Sequence, residues 1–258
     1  MKNYVISLLD ATQRRNHIIQ EFSQQNIEFE FFDAIVPSQV NELANKFQIN
    51  IKNANLTQGE LACLISHISL WQKAIDENLD YICIFEDDIY LGENAHVWLS
   101  NQEWIPKRAQ LIKLEMFYDT LFLGKPIFSH HHRKIHQLKQ ENLGTAGYII
   151  HQKIASQLII FIRTMFQNTT KPIDHIMFGD FLRYHSDIYQ INPALCIQTD
   201  RVNPTFLTSN LEGERKQKRV EIEKTKTKLS FSQKIIRELK RVFHQLYSLI
   251  FATRLYFK

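Results

Sequence analysis

The apolar run YICIF at residues 81–85 constrains the fold of this chain more than any other segment. It has too few polar residues for a strand that is half exposed to water, so it is predicted to be the central strand of a covered sheet. Three acids, Glu86, Asp87 and Asp88, follow at once. Neighbouring carboxylates repel one another and are costly to bury without partners. The end of this strand is therefore predicted to hold compensating positive charge.

Segments typical of strands and helices alternate along the chain. Residues 57–79 place apolar side chains on one helical face, and Thr57 and Glu60 form the T-x-x-E pattern of a capping box. Further strands are predicted in YVISL, FEFFDAIV, AQLIKLEMF and GTAGYIIH and, as a short pair, in IYQINPALCIQ; helices are predicted in KIASQLIIFIRTMF and KPIDHIMFGDFLRYH. This alternation predicts an α/β fold with a mixed, mostly parallel sheet. Ligands of such sheets bind beyond the carboxyl ends of the strands, where the three acids lie.

Length and charge predict one catalytic domain, residues 1–215, and a basic tail, residues 216–258. The chain has 258 residues, 44% of them hydrophobic, which is enough for one substantial core. Its net charge is +4, but residues 214–258 hold thirteen Lys and Arg against four Asp and Glu. Within the tail, residues 231–257 are predicted to form a basic amphipathic helix suited to an anionic membrane surface. Docking of this helix on its own domain or on a partner subunit is the alternative.

Several kinds of site are disfavoured. The three cysteines, Cys63, Cys83 and Cys196, are far apart and form no CxxC pair, which argues against a disulfide framework and a zinc site. No segment resembles a signal peptide or a spanning helix, so a soluble or membrane-surface protein in a reducing compartment is predicted. The histidine-rich segment at residues 130–139 has no acidic partner and is predicted to be a solvated loop.

A hard divalent cation is the partner that best explains the three acids. Carboxylate oxygens are the ligands that Mg²⁺ and Mn²⁺ prefer, and such a metal cancels the repulsion and can hold a substrate's phosphates. The alternative is that the acids cap the next turn or face solvent.

Four segments in order carry a resemblance to a known family. YVISLLDATQRR, LTQGELACLISHISLW, EDD and GTAGYII together resemble glycosyltransferase family 25, the enzymes that build lipooligosaccharide in Gram-negative bacteria. The resemblance covers about residues 2–215. It implies a GT-A-type, Rossmann-like nucleotide-sugar-binding fold and inverting transfer from UDP-galactose to a lipooligosaccharide or LPS saccharide. It also implies a cytoplasmic enzyme at the inner membrane surface, and no nucleic-acid partner is predicted.

The resemblance also implies roles for particular residues. The acids that hold Mn²⁺ or Mg²⁺ on the donor diphosphate would be Glu86, Asp87 and Asp88. The donor nucleotide would contact Ser7, Arg14, Arg15, Thr57, Gly59, Glu60, His67 and Asp87. The sugar or acceptor would contact Gly144, Thr145, Gly147 and Tyr148. Plainer alternatives remain: Thr57 and Glu60 as a helix cap, His67 as a structural histidine, and the glycines as a bulge before a strand.

Inverting transfer needs a base that deprotonates the acceptor hydroxyl. Asp174, near the start of a predicted helix, is the first candidate, and Asp180 and His175 are the second choices. The alternative for Asp174 is a favourable interaction with the helix dipole.

Two other functions compete with glycosyl transfer. A metal-dependent phosphohydrolase or nuclease would hold two ions with clustered acids, but the later strands offer little beyond Glu115. A non-catalytic binding module at the membrane would leave the three acids without a role.

Overall fold

The computed structural model describes residues 1–203, Leu207 and residues 252–258. The strands, in chain order, are β1 (Lys2–Ser7), β2 (Glu30–Asp33), β3 (Tyr81–Glu86), β4 (Ile89–Leu91), β5 (Leu111–Lys113), β6 (Thr120–Leu121), β7 (Leu123–His130), β8 (Arg133–Leu138), β9 (Gly147–His151), β10 (Ile188–Asn192), β11 (Cys196–Gln198) and β12 (Thr253–Arg254). The helices are α1 (Thr12–Ser23), α2 (Pro37–Lys46), α3 (Gln58–Asp76), α4 (His96–Leu99), α5 (Gln152–Met165), α6 (Ile173–His175) and α7 (Thr199–Val202). A π-helical turn, Ile176–Asp180, and a 3₁₀ turn, Phe181–Arg183, continue α6.

Eight strands form the central sheet in the order β2-β1-β3-β9-β5-β10-β8-β7. Strands β2, β1 and β3 run parallel to one another, as do β5 and β10. Strand β9 lies antiparallel between β3 and β5, and β8 lies antiparallel between β10 and β7. Six of the eight strands thus share one direction, which confirms the predicted α/β class and the mixed, mostly parallel sheet.

Strand β3 lies inside the sheet and is covered on both faces, as its composition predicts. Successive side chains of a strand point to opposite faces. Ile82 and Ile84 belong to the apolar cluster that packs under α3 and α5, whereas Cys83 and Phe85 belong to the cluster that packs against α1. All four side chains are fully buried. The apolar run therefore reflects burial on two sides, and at its acidic end Glu86 is partly exposed while Asp87 and Asp88 are buried.

Helix α3 begins at the predicted capping box. The Glu60 backbone N–H donates to Thr57 Oγ1 at 3.1 Å, and the Thr57 N–H donates to Glu60 Oε2 at 2.9 Å. This pairing satisfies two N–H groups that the first helical turn leaves without partners. Because the cap sets where the helix starts, it also sets which α3 side chains face the end of β3.

Three local predictions are wrong. IYQINPALCIQ does not form a strand pair, because β10 joins the central sheet while β11 pairs with β4. The histidine-rich segment is not a loop: β7 and β8 form a hairpin, anchored by the buried Ile135 and Leu138. The segment that starts at Lys171 is not one regular helix, since α6 gives way to the π-helical and 3₁₀ turns after three residues.

The predicted tail helix falls mostly outside the described residues, as do residues 216–251 of the predicted tail domain. Its last part is extended, because Thr253 and Arg254 pair with β6 and the Ala194 N–H donates to the Tyr256 carbonyl at 2.6 Å. Leu255 is buried in the cluster of α3 and α5. The helix prediction is therefore wrong for these final residues, which pack on the catalytic domain. Within the described ranges, no helix combines the length and apolar character needed to span a bilayer.

Candidate active site

A pocket lies at the carboxyl end of β3, where the topology of α/β sheets places ligands. Its walls come from the start of α3, the acidic end of β3, the turn before β9 and the start of α6. The residues that line it are Glu60, Cys63, Glu86, Asp88, Phe117, Gly144, Thr145, Pro172, Ile173, Asp174 and Gln198. Glu86, Asp88, Gly144, Thr145 and Asp174, which come from three sequence segments, thus face one space.

The three acids divide into two groups. Glu86 and Asp88 line the pocket, whereas Asp87 accepts a hydrogen bond from Ser7 Oγ at 2.6 Å and pairs with Arg14. Asp87 and Asp88 form the bend between β3 and β4, and this bend brings the Asp87 side chain to Ser7 at the end of β1. Asp87 therefore joins the ends of β1 and β3 and serves as an anchor. Ser7 and Arg14, predicted as donor contacts, bind this anchor.

Arg15, another predicted donor contact, lies at the edge formed by β1 and β2. It pairs with Asp33, donates to the carbonyls of Leu8 at 3.0 Å and Ser7 at 3.2 Å, and lies over the Phe31 ring at 4.7 Å. These contacts hold the turn after β1 and place Arg15 away from the residues that line the pocket.

Asp88 has the features of a cation ligand. Its Oδ1 is buried and has no hydrogen-bond partner in the part of the chain that the structure describes, while Arg14 Nη1 lies 3.4 Å from Oδ2. Burial, followed by the neighbouring Glu86 carboxylate, raises the pKa of Asp88 to about 7. An unpartnered oxygen beside a second carboxylate fits a hard divalent cation. Glu86 and Asp88 are therefore the residues that would hold Mn²⁺ or Mg²⁺.

A buried hydrogen-bond chain supports Glu86. Thr145 Oγ1 donates to Glu86 Oε1 at 2.7 Å, and His67 Nε2 lies 3.8 Å from the same oxygen. His67 Nδ1 lies 2.8 Å from the Tyr148 hydroxyl, which accepts from Trp71 Nε1 at 2.9 Å. Burial raises the pKa of Tyr148 well above its usual value, so the hydroxyl keeps its proton. Tyr148, predicted as a sugar contact, is fully buried and contacts His67 instead.

The two glycines of the GTAGYI segment are required by close packing. Gly144 has a φ of +86°, and a Cβ there would lie 2.5 Å from the Glu115 carboxylate. A Cβ on Gly147 would lie 2.3 Å from Cys196 Sγ. Gly144 lines the pocket and Gly147 lies buried beneath it, which agrees with the alternative of a structural turn before the strand. Gly59 lies in the first turn of α3, beside the capping box.

Asp174 is the candidate base that faces the pocket. Its Oδ2 accepts from the Gly144 N–H at 3.2 Å, and its Oδ1 accepts from the His175 N–H at 2.9 Å. Asp180 is bound by Lys171 at 2.7 Å, with Arg183 at 3.5 Å, and His175 lies 3.8 Å from Glu141. Neither second choice lines the pocket described above, whereas Asp174 does.

Sequence reasoning missed the ion pair beneath the pocket. Lys113 Nζ lies 2.9 Å from Glu115 Oε2, and both side chains are fully buried. Lys113 also donates to the Gly144 carbonyl, and Glu115 accepts from the Ala146 N–H at 3.1 Å. The pair thus fixes the turn that presents Thr145 to Glu86. A signal for this pair was present in the sequence: in QLIKLEMF, Lys113 and Glu115 stand at alternate positions of an apolar segment, so both side chains point to the same side. Because Glu115 forms an ion pair with Lys113, we do not assign it as a further metal ligand.

We expect Lys113→Met or Glu115→Gln to lower the free energy of unfolding by roughly 3–5 kcal/mol, because either change leaves a buried group without its partner. The double variant Lys113→Met with Glu115→Leu should recover much of this loss. Urea unfolding of the full chain measures the effect. As a control, Lys73→Met removes the exposed pair with Glu77 and should change stability little. Single variants at Lys113 and Glu115 that unfold at the urea concentration of the parent protein would contradict the assignment.

Comparison with known proteins agrees with the geometry. The profile of the family described as Glycosyltransferase family 25 (LPS biosynthesis protein) matches residues 1–177. The chain belongs to glycosyltransferase family 25. The match includes all four motif segments, the acids after β3 and Asp174, so the resemblance in the sequence is confirmed. The α/β class and the mixed, mostly parallel sheet expected of the family are likewise confirmed.

Known lipooligosaccharide and lacto-N-neotetraose biosynthesis proteins are similar to the chain over most of its length. The lipooligosaccharide biosynthesis protein lic2B of Haemophilus influenzae is 40% identical, over 98% of this chain and 97% of its own. The lacto-N-neotetraose biosynthesis glycosyltransferase LgtB of Neisseria meningitidis is 38% identical, over 77% of this chain and 75% of its own. Among solved structures, a glycosyltransferase involved in glycosylation of the major capsid of PBCV-1 aligns with a TM-score of 0.43 and 11% identity, over 83% of this chain and 98% of that chain.

Proposed function

We propose that this member of family 25 is an inverting transferase that moves galactose from UDP-galactose to a lipooligosaccharide or LPS saccharide, with Mn²⁺ or Mg²⁺ on the donor diphosphate. The observation that carries the proposal is the composition of the pocket. Glu86 and Asp88 place two carboxylates on one wall, and Asp174, a carboxylate oriented by the Gly144 N–H, lies on another. A cation site and a separate base are the two groups that metal-dependent inverting transfer from a nucleotide sugar uses.

The acceptor class is supported by the relatives. The protein lic2B is named for lipooligosaccharide biosynthesis, and LgtB is named for lacto-N-neotetraose biosynthesis. Both names describe assembly of an oligosaccharide. Galactose as the transferred sugar is what the family resemblance implies, and the choice between hexoses turns on single hydroxyl contacts.

The mechanism assigns separate tasks to the residues of this chain. Glu86 and Asp88 would hold the metal ion, which when bound supplies Lewis-acid stabilisation of the charge that develops on departing UDP. Asp87, through Ser7 and Arg14, fixes the end of the strand that carries them. Asp174 takes the proton of the acceptor hydroxyl as that oxygen attacks the anomeric carbon from the face opposite UDP. The Gly144 N–H orients the Asp174 carboxylate for this transfer.

The test is a panel of nucleotide sugars incubated with the full chain, Mn²⁺ and a lipooligosaccharide acceptor, with free nucleoside diphosphate as the readout. We expect UDP release with UDP-galactose that stops with chelator and in Glu86→Gln. The exposed Glu103→Gln is the matched control and should keep its activity. Release of inorganic phosphate or cleavage of nucleic acid would instead support a phosphohydrolase or nuclease. The absence of turnover with every donor would support a binding module.

We also propose that the basic tail places the enzyme on the anionic cytoplasmic surface of the inner membrane of a Gram-negative bacterium. The Lys and Arg side chains of the tail would attract it to anionic lipid headgroups. A lipid-linked acceptor would lie at the same surface. Lys234, Arg237, Lys240 and Arg241 changed together to Gln should abolish cosedimentation with anionic vesicles. This charge variant is better than a deletion, because residues 252–258 pack on the catalytic domain. Equal sedimentation of parent and variant would refute membrane binding through the tail, and vesicles of zwitterionic lipid are the control.

A further inference from the structure

We propose that Cys63, His67 and Glu86 form a site for Zn²⁺ at the edge of the pocket. Cys63 and His67 are four residues apart on α3, which places both on one face of the helix. Glu86 reaches them from the end of β3. One sulfur, one ring nitrogen and one carboxylate oxygen from these side chains all lie within 4.8 Å of one another. Two consecutive elements, α3 and β3, thus bring three metal-binding atoms together.

His67 supplies the observation that points to a ligand. Its side chain is completely buried, and across the described residues Nε2 has no hydrogen-bond partner. A buried ring nitrogen without a partner is costly. The other nitrogen, Nδ1, lies 2.8 Å from the Tyr148 hydroxyl, which is itself held by Trp71. Metal-binding histidines are commonly oriented in this way, by a hydrogen bond to the nitrogen that does not bind the metal.

The donor atoms select the metal. A thiolate, an imidazole and one carboxylate suit Zn²⁺, whereas Mg²⁺ and Mn²⁺ prefer oxygen donors. Two ligand atoms about 2.1 Å from a tetrahedral Zn²⁺ lie about 3.4 Å apart. His67 Nε2 and Glu86 Oε1 are 3.8 Å apart, so small side-chain movements bring them to that distance. Cys63 and Glu86 line the pocket, which leaves the fourth position of the metal open to a water molecule or a ligand.

Binding of Zn²⁺ has a defined proton balance. The metal bonds to the Cys63 thiolate, so the thiol proton is released to solvent. It also bonds to the lone pair of His67 Nε2, so the neutral ring carries its proton on Nδ1, which then donates to the Tyr148 oxygen. Glu86 binds as a carboxylate. No oxidant or reductant takes part.

The site shares Glu86 with the proposed Mn²⁺ or Mg²⁺ site. A zinc ion held by Cys63 and His67 would draw Glu86 away from Asp88, so the two metals would compete for this carboxylate. Zn²⁺ would thereby inhibit sugar transfer, and a pocket without the Cys63 thiol would escape this inhibition because it would not bind Zn²⁺. The spacing of the cysteines argues only against sites built from several cysteines. The proposed site uses one cysteine, Cys63, and its other ligands are His67 and Glu86.

The test uses metal-free full-length protein with Co²⁺ as the spectroscopic probe, under reducing conditions and without any sugar nucleotide. We expect a thiolate-to-cobalt charge-transfer absorption that one equivalent of Zn²⁺ abolishes. Cys63→Ser should lose this absorption, and Cys83→Ser, which changes a buried thiol outside the cluster, should keep it. Tyr148→Phe should retain the absorption but weaken Zn²⁺ binding by about 10–100-fold, because the orienting partner of His67 is gone.

Asp88→Asn separates this proposal from the proposed function. It removes a ligand of the hard cation only, so Co²⁺ and Zn²⁺ binding should persist. Circular dichroism of each variant verifies that it is folded. No thiolate absorption in the parent protein, or an absorption that survives in folded Cys63→Ser, would overturn the zinc site. Since no transfer is measured, either result is independent of whether the chain uses UDP-galactose.

Discussion

Asp174→Asn is expected to lower kcat for sugar transfer by about 10²–10⁴-fold, the usual contribution of a general base. Asn cannot take the acceptor proton, yet its oxygen can still accept from the Gly144 N–H, so the pocket should keep its shape. The KM values for donor and acceptor should change much less than kcat. Initial rates of UDP release, with both substrates varied, measure the effect.

Asp180→Asn is the matched control for this prediction. Asp180 is bound by Lys171 and Arg183, so its loss should lower stability and leave kcat of the folded enzyme nearly unchanged. Near-normal kcat in Asp174→Asn at saturating acceptor would exclude Asp174 as the base. A large loss of kcat in folded Asp180→Asn would instead identify Asp180 as the general base.

Asp88→Asn is expected to lower transfer by about 100-fold or more, because stabilisation by the metal is worth several kcal/mol and each 1.36 kcal/mol is a factor of ten. The same change should raise the melting temperature of the metal-free protein. Asp88 is buried beside Glu86 and Asp87, and its Oδ1 has no partner among the residues that the structure describes. A neutral side chain there removes repulsion between carboxylates. Transfer assays with a Mn²⁺ titration and thermal unfolding in chelator test both effects.

Asp87→Asn makes the same chemical change one residue away and should shift stability in the opposite direction. It weakens the pair with Arg14 and the bond from Ser7 that join β1 to β3. We expect a lower melting temperature in chelator and, in the folded enzyme, an unchanged Mn²⁺ requirement. If Asp87→Asn instead raised the Mn²⁺ requirement while Asp88→Asn did not, the metal ligand would be Asp87.

Much of the fold was predictable because local signals were strong. The apolar run of β3 specified a covered strand, and the T-x-x-E pattern specified where α3 begins. The motif order predicted family 25, and strand order placed the acids at the ligand-binding edge. One of the wrong predictions concerns strand partners: β10 and β11 are neighbours in the chain, but each pairs with a different strand. Pairing depends on contacts between segments distant in sequence, which local patterns do not report.

Local patterns in the sequence specified that charge is concentrated at the end of a core strand, that α3 precedes it and that a Gly-containing turn follows. The contacts of each of these residues were set by the tertiary structure. It turned Asp87 away from the pocket, buried Tyr148 behind His67, and brought Cys63 to Glu86. Strand and helix periods determine the side of an element on which a residue lies. The residue it meets there is set by how elements pack, so the chemistry of this pocket emerges only once α3, β3 and the turn before β9 are assembled.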